Sequence, residues 1–275
     1  MKSIPFSKMS GTGNDFIIID NRDRLVEDDG LTDFIRKVCR RKMSVGADGL
    51  ILIESSAKAD FRWRFFNSDG SLAEMCGNGA RCAARFAYLN GIAGENLSFE
   101  TEAGIIDGQV KSGGARVKIP DPSDLRLNFT LDLENGPLTV SSINTGVPHV
   151  VVMKDSVEEL DVFGLGREIR YHEAFAPAGT NVNFIGQKRP GQLAIRTYER
   201  GVEDETLACG TGSIASALVA SCKTNWTSPI NLSTRSDESL TIHFRESNRV
   251  FTDVYLEGDA RLIYTAELGQ DAWKP

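Results

Sequence analysis

The tetrapeptide Cys-Gly-x-Gly occurs twice, as Cys76-Gly77-Asn78-Gly79 and Cys209-Gly210-Thr211-Gly212, about half a chain length apart, and each copy opens a helical pattern. The stretches Ala80 to Asn90 and Thr211 to Cys222 are crowded with Ala, Ser and Cys and carry apolar residues around most of their circumference. That pattern predicts two buried helices, not surface ones. Asn90-Gly91 supplies a C-terminal stop for the first. The approaches match as well: Arg64-Phe65-Phe66-Asn67 precedes one copy and Arg196-Thr197-Tyr198-Glu199 the other. A weaker pair, Gly11-Thr12-Gly13-Asn14-Asp15-Phe16 and Gly179-Thr180-Asn181-Val182-Asn183-Phe184, points the same way. A period this long predicts duplication into two similar domains and excludes a solenoid.

Most of the remaining signal is strand. Phe16-Ile17-Ile18-Ile19, Gly49-Leu50-Ile51-Leu52-Ile53, Phe61-Arg62-Trp63-Arg64-Phe65-Phe66 and Val150-Val151-Val152-Met153 are short β-branched or aromatic runs bounded by Gly, Asp or Asn. Leu31 to Arg41 reads as an amphipathic outer helix, with Leu31, Phe34, Ile35 and Val38 on one face and Arg36, Lys37, Arg40 and Arg41 on the other. A chain of 275 residues accommodates two domains of about 130 each. Pro120-Asp121-Pro122-Ser123-Asp124 reads as a linker or turn, which sets the domains at 1–127 and 128–264. The C-terminal segment, about 265–275, is open to a return to the first domain.

Charge and cysteine usage exclude several classes. The net charge of -7 is spread along the chain, and Arg40-Arg41-Lys42 is its only short basic run, far too small for a nucleic-acid footprint. No apolar stretch approaches the roughly 18 residues that span a bilayer, and Met1 to Phe6 lacks the apolar core of a signal peptide. A cytoplasmic protein without membrane or nucleic-acid partners is expected. Five cysteines, an odd set with no CxxC pair, fit neither a disulfide framework nor a zinc knuckle. With only His149, His172 and His243 to add, and no ligand spacing among them, no metal is expected. Cys39, Cys82 and Cys222 fall inside helical patterns, where a buried, inert thiol is the rule.

Cys76 and Cys209 are different. A thiol just ahead of a helix lies beside unpaired N–H groups and the positive end of the helix dipole, which favours the thiolate. The glycines allow close backbone approach to a ligand, and the N–H groups of Gly77, Asn78, Gly210 and Thr211 are placed to hold a carboxylate. Two such sites, facing each other across an interdomain cleft, suit inversion at a tetrahedral carbon: one thiolate removes the α-proton while the opposing thiol protonates the other face. Two helix N-termini aimed at the carboxylate would stabilise the carbanion, so no cofactor is needed as an electron sink. One such cysteine alone is more often structural than catalytic. A thiol redox switch, with a reversible Cys76–Cys209 disulfide, is the rival from another class.

Further motifs accompany the pair: Asn67-Ser68-Asp69-Gly70-Ser71, Met75-Cys76-Gly77-Asn78-Gly79-Ala80-Arg81-Cys82, Gly146-Val147-Pro148-His149, Tyr198-Glu199-Arg200-Gly201 and Ala208-Cys209-Gly210-Thr211-Gly212. With Gly11 to Phe16 they run in the order found in the diaminopimelate epimerase family, from about Ser7 to about Ala220, and the chain closely resembles that family. The resemblance implies an α+β fold of two similar domains, each a β-barrel-like sheet wrapped around a central buried helix, with the active site in the interdomain cleft. It implies a pyridoxal-independent conversion of L,L-diaminopimelate to the meso form, for lysine and peptidoglycan precursor synthesis, by a homodimer. Cys76 and Cys209 match the family's alternating bases. His149 and Glu199 match residues that tune the thiols, and Asn14, Asn67, Asn181, Glu199 and Arg200 match substrate contacts. Arg200 is suited to clasp a carboxylate bidentately, with Asn67 and Asn181 beside it at the distal end of the substrate.

Outside that resemblance each residue has a plainer reading. His149 after Pro148 reads as a turn histidine, Asn14 and Asn181 as turn or cap residues, and Glu199-Arg200 as a surface ion pair. The chain departs from many family members at Val147, where they carry Asn, and from some at Gly49, where they carry Gln. Proline or hydroxyproline racemases and epimerases use the same cysteine pair and are the nearest rival, but lack a distal clamp.

Overall fold

The computed structural model describes residues 3–73 and 75–274. The chain divides into two compact units, one made of Met1–Lys118 with Glu257–Pro275 and the other of Ile119–Leu256. Each is built around a mixed sheet.

In the first unit Arg261–Leu268 pairs antiparallel with Ile4–Gly11, which pairs antiparallel with Asn14–Asp20. Asn14–Asp20 runs parallel to Gly49–Glu54, which runs antiparallel to Phe61–Asn67. Phe61–Asn67 in turn lies parallel to Asn96–Thr101, and antiparallel Gly104–Lys111 and Gly114–Lys118 follow. Parallel neighbours require long crossovers. Helix α1, Leu31–Val38, lies in the first and helix α2, Gly77–Leu89, in the second. Strands near both ends of this order, Ile4–Gly11 and Gly114–Lys118, pack on α2, so the sheet curls around it. Small residues make that enclosure feasible: Ala80, Cys82, Ala83, Ala84 and Ala87 are all fully buried.

Helix α1 covers the outside of the sheet, burying Leu31, Ile35 and Val38 against Ile17, Ile19, Leu50 and Leu52. It ends at Val38, short of the Arg41 that the periodicity suggests. The returning chain explains the early stop, because Gly46 N–H donates to the carbonyl of Val38 and Ala47 N–H to that of Cys39. Arg41 is instead drawn to Asp15 and Asp48, at 2.5 and 2.8 Å.

The second unit repeats this connectivity. Gly136–Asn144 pairs antiparallel with Ser123–Leu133 on one side and with Pro148–Lys154 on the other. Pro148–Lys154 runs parallel to Asn181–Arg189, which is antiparallel to Gln192–Glu199; that strand lies parallel to Ile230–Ser233, with Ser239–Ser247 antiparallel beyond. Helix α3, Val162–Arg170, occupies the first crossover and helix α4, Gly210–Thr224, the second. An unbroken run from Gly212 to Ser221 is buried in α4, and strands from Gly136–Asn144 to Ser239–Ser247 surround it. Both units are thus barrel-like sheets wrapped around a central helix, and α1 and α2 correspond to α3 and α4. The fold is α+β.

The duplication does not extend to the weaker motif pair. Gly11 to Phe16 is the hairpin that leads into Asn14–Asp20, whereas Asn181 to Phe184 opens a strand whose counterpart in the first unit is Gly49–Glu54. The likeness of those two segments comes from both being Gly-rich strand starts, not from equivalent positions.

Helix α3 carries no strong sequence signal, because Gly164 and Gly166 interrupt it. Asp161 caps it by accepting the N–H of Gly164 at 2.8 Å. Gly166 is required for close packing: a Cβ there would lie 2.5 Å from the Cβ of Tyr198. Gly166→Ala is therefore expected to cost about 1–3 kcal/mol through overpacking, against the roughly 1 kcal/mol that helix propensity alone would gain. The urea midpoint decides, and an unchanged or higher value would mean that the helix shifts freely.

Candidate active site

Both buried helices begin at a cysteine. Cys76 is the N-cap of α2, with extended backbone at φ -145° and ψ 115°, and its Sγ accepts the N–H of Gly79 at 3.5 Å. Cys209 is the N-cap of α4, at φ -127° and ψ 113°, with its Sγ 3.5 Å from Thr211 Oγ1. These thiols sit where the first-turn N–H groups have no intrahelical acceptor. The other three do not. Burial pushes the thiols of Cys39 and Cys82 up to about 12 and raises that of Cys222.

In the first unit a two-residue turn, Thr12 and Gly13, sets the site's edge. Both residues are left-handed, at φ 48° and 90°, as a tight hairpin of this length requires. A β-branched residue is strained there, and Thr12 is held by donating both its N–H and its hydroxyl to Asp259 Oδ1, each at 2.8 Å. Asn14, directly after the turn, donates to Asp48 Oδ2 at 3.0 Å and accepts from Asn78 Nδ2 at 2.6 Å. Asn78 in turn accepts from the wholly buried Arg81 at 2.9 Å. Arg81 also donates to Thr12 Oγ1 at 2.7 Å and to the carbonyl of Gly77 at 3.2 Å. The hairpin, Asn14 and the first turn of α2 are thereby one network. Asn67 stands apart from it, exposed and donating to Ser71 Oγ at 3.0 Å.

Arg81 is quoted in the sequence motif without a role, yet it joins these parts. Arg81→Met is expected to destabilise the protein by about 3 kcal/mol, since it strands Asn78 Oδ1 and removes charge-assisted hydrogen bonds from a dry site. Chemical denaturation checks this; a loss under about 1 kcal/mol would mean that the neighbours satisfy one another without it.

In the second unit His149 is completely buried. Burial, and then the charge of Arg200, push its pKa down to about 3, so the ring is neutral. Asn181, its register partner on the neighbouring strand, donates to the carbonyl of Pro148 at 3.3 Å and accepts the N–H of Arg200 at 2.9 Å. The side chains of Glu199 and Arg200 go different ways: Glu199 accepts the hydroxyl of Thr206 at 2.8 Å, while Arg200 donates to the carbonyl of Ala178 at 3.1 Å. Burial raises the pKa of Glu199, against the Thr206 hydrogen bond. Thr145 ties the loop before His149 to the first turn of α4 through the carbonyl of Thr211, at 3.0 Å.

The chain matches the diaminopimelate epimerase family over residues 6–122 and 141–263. It belongs to that family. A diaminopimelate epimerase of Aquifex aeolicus is 47% identical over 97% of this chain and 98% of its own length. That of Hydrogenobaculum sp. is 45% identical, over 96% and 98%. Among solved structures, a PhzF-family phenazine biosynthesis protein from Bacillus anthracis superposes with a TM-score of 0.75 at 17% identity, covering 98% of this chain and 99% of that one. A hydroxyproline epimerase from Agrobacterium vitis superposes with a TM-score of 0.68 at 13% identity, covering 98% and 93%. Likenesses this distant concern the fold alone. The family is one of isomerases, and this chain is an enzyme of that class.

Within the family frame, Gly49 has a local reason. A Cβ there would lie 2.5 Å from the carbonyl oxygen of Phe66 and 2.6 Å from the ring of Phe65, so this backbone leaves no room for a side chain. Among the described residues no helix is long and apolar enough to cross a membrane. Sequence reasoning assigned no part to Arg81, Thr145, Asp48, Asp259 or Asn183. For Asn183 a signal existed: Asn181 and Asn183 alternate along one strand, which places both side chains on the same face.

Proposed function

We propose that this chain is a cofactor-independent epimerase that converts L,L-2,6-diaminopimelate to the meso form through Cys76 and Cys209. The observation that carries the reading is that two topologically equivalent buried helices each begin at a cysteine N-cap, in a chain of this family. One thiolate removes the α-proton, the other thiol protonates the opposite face, and the roles exchange when the direction reverses. The N–H groups of Gly77, Asn78, Gly210 and Thr211 hold the carboxylate at the reacting carbon, where negative charge develops in the transition state. Asn14, Asn67, Asn181, Glu199 and Arg200 bind the substrate, Arg200 with Asn67 and Asn181 at its distal amino-acid end. A distal handle of polar groups that the bound substrate covers discriminates against substrates that leave them unpaired. His149 and Glu199 set the protonation of the thiols. The product supplies lysine and peptidoglycan precursors in the cytoplasm, and the working form is a homodimer.

The test is to incubate reduced protein with L,L-diaminopimelate in D2O without pyridoxal phosphate, following α-deuterium and the meso isomer. Deuterium uptake with meso formation is the expected result. No exchange by folded, reduced protein would overturn the reading, and exchange on L-proline instead would move it to the proline-type enzymes.

A further inference from the structure

We propose that Asn183 is a positioning residue that locks His149 in its Nε2–H tautomer, so that His149 presents a hydrogen-bond donor to an anionic acceptor and is not a proton-accepting base. The argument starts from the amide. Asn183 is completely buried, and its Nδ2 lies 3.0 Å from the carbonyl oxygen of Val150 and 3.1 Å from His149 Nδ1. Its Oδ1 accepts the hydroxyl of Thr197 at 3.0 Å. A carbonyl has no proton to give, so the Asn183 atom facing Val150 has to be the NH2; the flipped amide would set two oxygens against each other.

The second proton of that NH2 points to His149 Nδ1, which must then be the bare nitrogen of a neutral ring. The ring proton is left on Nε2. That atom is buried and has no hydrogen-bond partner among the described residues. Buried donors are rarely left this way unless a ligand or reacting group completes them. The one ring lone pair, on Nδ1, is occupied by the Asn183 N–H, so His149 has no free lone pair with which to take a proton from a thiol, and its Nε2–H acts by stabilising negative charge.

The amide is also wedged beside the reactive thiol. A Cβ on Gly212 would lie 2.1 Å from Asn183 Oδ1 and 3.3 Å from Cys209 Sγ, so the first turn of α4 closes directly over Asn183. The catalytic meaning of the tautomer rests on the proposed epimerase reading; the tautomer itself does not.

The test is nitrogen-15 NMR of histidine-labelled protein at neutral pH, with the His149 signals assigned by difference from His149→Gln. A pyridine-type Nδ1 and a pyrrole-type Nε2 are expected, and Thr197→Val should keep them. Asn183→Asp, which offers Nδ1 an acceptor, should move the proton to Nδ1 and slow α-proton exchange of L,L-diaminopimelate roughly tenfold or more, as wrong tautomers do elsewhere. A proton on Nδ1 in the parent protein, a doubly protonated ring, or an unaltered tautomer in folded Asn183→Asp would overturn the proposal. Should Asn183→Asp not fold, the parent and Thr197→Val spectra still decide. An Nε2–H tautomer in a protein that exchanges no diaminopimelate would leave this proposal standing and the epimerase reading fallen.

Discussion

Cys76→Ser and Cys209→Ser are each expected to lower α-proton exchange of L,L-diaminopimelate roughly 10²- to 10⁴-fold, the range associated with removing a positioned general acid or base. Serine keeps the shape of the side chain and is a favoured N-cap, so both helices should still form; what is lost is an acidic, nucleophilic group, replaced by a hydroxyl that does not ionise near neutral pH. Because the two thiols act as a unit, the double variant should be hardly slower than either single one. Cys222→Ser is the control, since that thiol sits in the last part of α4 with its ionisation suppressed by burial. Near-parental exchange in either N-cap variant would remove that cysteine from the reaction. Exchange without inversion in one variant would show that the remaining thiol works on one face only.

The features of the fold that depend on local chemistry were legible in the sequence. The two helices announced their burial because Ala, Ser, Cys and larger apolar residues run around much of their circumference, and the cysteine N-caps were legible because Cys-Gly-x-Gly opens each of them. The strand Pro148–Lys154 was visible as a continuous apolar run, as expected for a strand buried on both faces. Helix α3 was hidden because Gly166 serves contact with Tyr198 and Gly164 lies against the capping Asp161, neither of which helix propensity records. The end of α1 was hidden because hydrogen bonds from Gly46 and Ala47, distant in the helical pattern, decide it. The site divides along the same line. Residue types that suit proton transfer could be picked out, but the groups that orient them are joined by long-range contacts: Arg81 reaches Thr12, and Thr12 reaches Asp259. Periodicity carries no record of such pairings. Even where the chemistry was legible its partner was not: Glu199 and Arg200 are adjacent in the chain, yet bond to Thr206 and Ala178.

The second glycine of each tetrapeptide gives the sharpest contrast between the two units. Alanine is the better helix former by roughly 1 kcal/mol, so propensity favours both Gly79→Ala and Gly212→Ala. At Gly79 the added Cβ would meet nothing closer than 3.4 Å, from Ile51 Cδ1 and Trp63 Cζ3, which is ordinary contact. Gly79→Ala should therefore leave stability unchanged or slightly higher. At Gly212 the same atom would lie 2.1 Å from Asn183 Oδ1. That oxygen is not the loose end of a mobile side chain, because Asn183 is fully buried and its amide is fixed by Val150, His149 and Thr197. Either the amide rotates out of its hydrogen bonds or the first turn of α4 moves, carrying Cys209 with it. Gly212→Ala is expected to cost about 1–3 kcal/mol by overpacking, and roughly a hundredfold in kcat/KM, because a displacement of the order of 1 Å is enough to misplace a reacting group. Urea midpoints and exchange rates of the two variants, measured side by side, test this asymmetry. Equal tolerance would mean that the Asn183 clamp yields; equal damage would mean that the glycines serve a need shared by both helices, namely backbone close to the substrate.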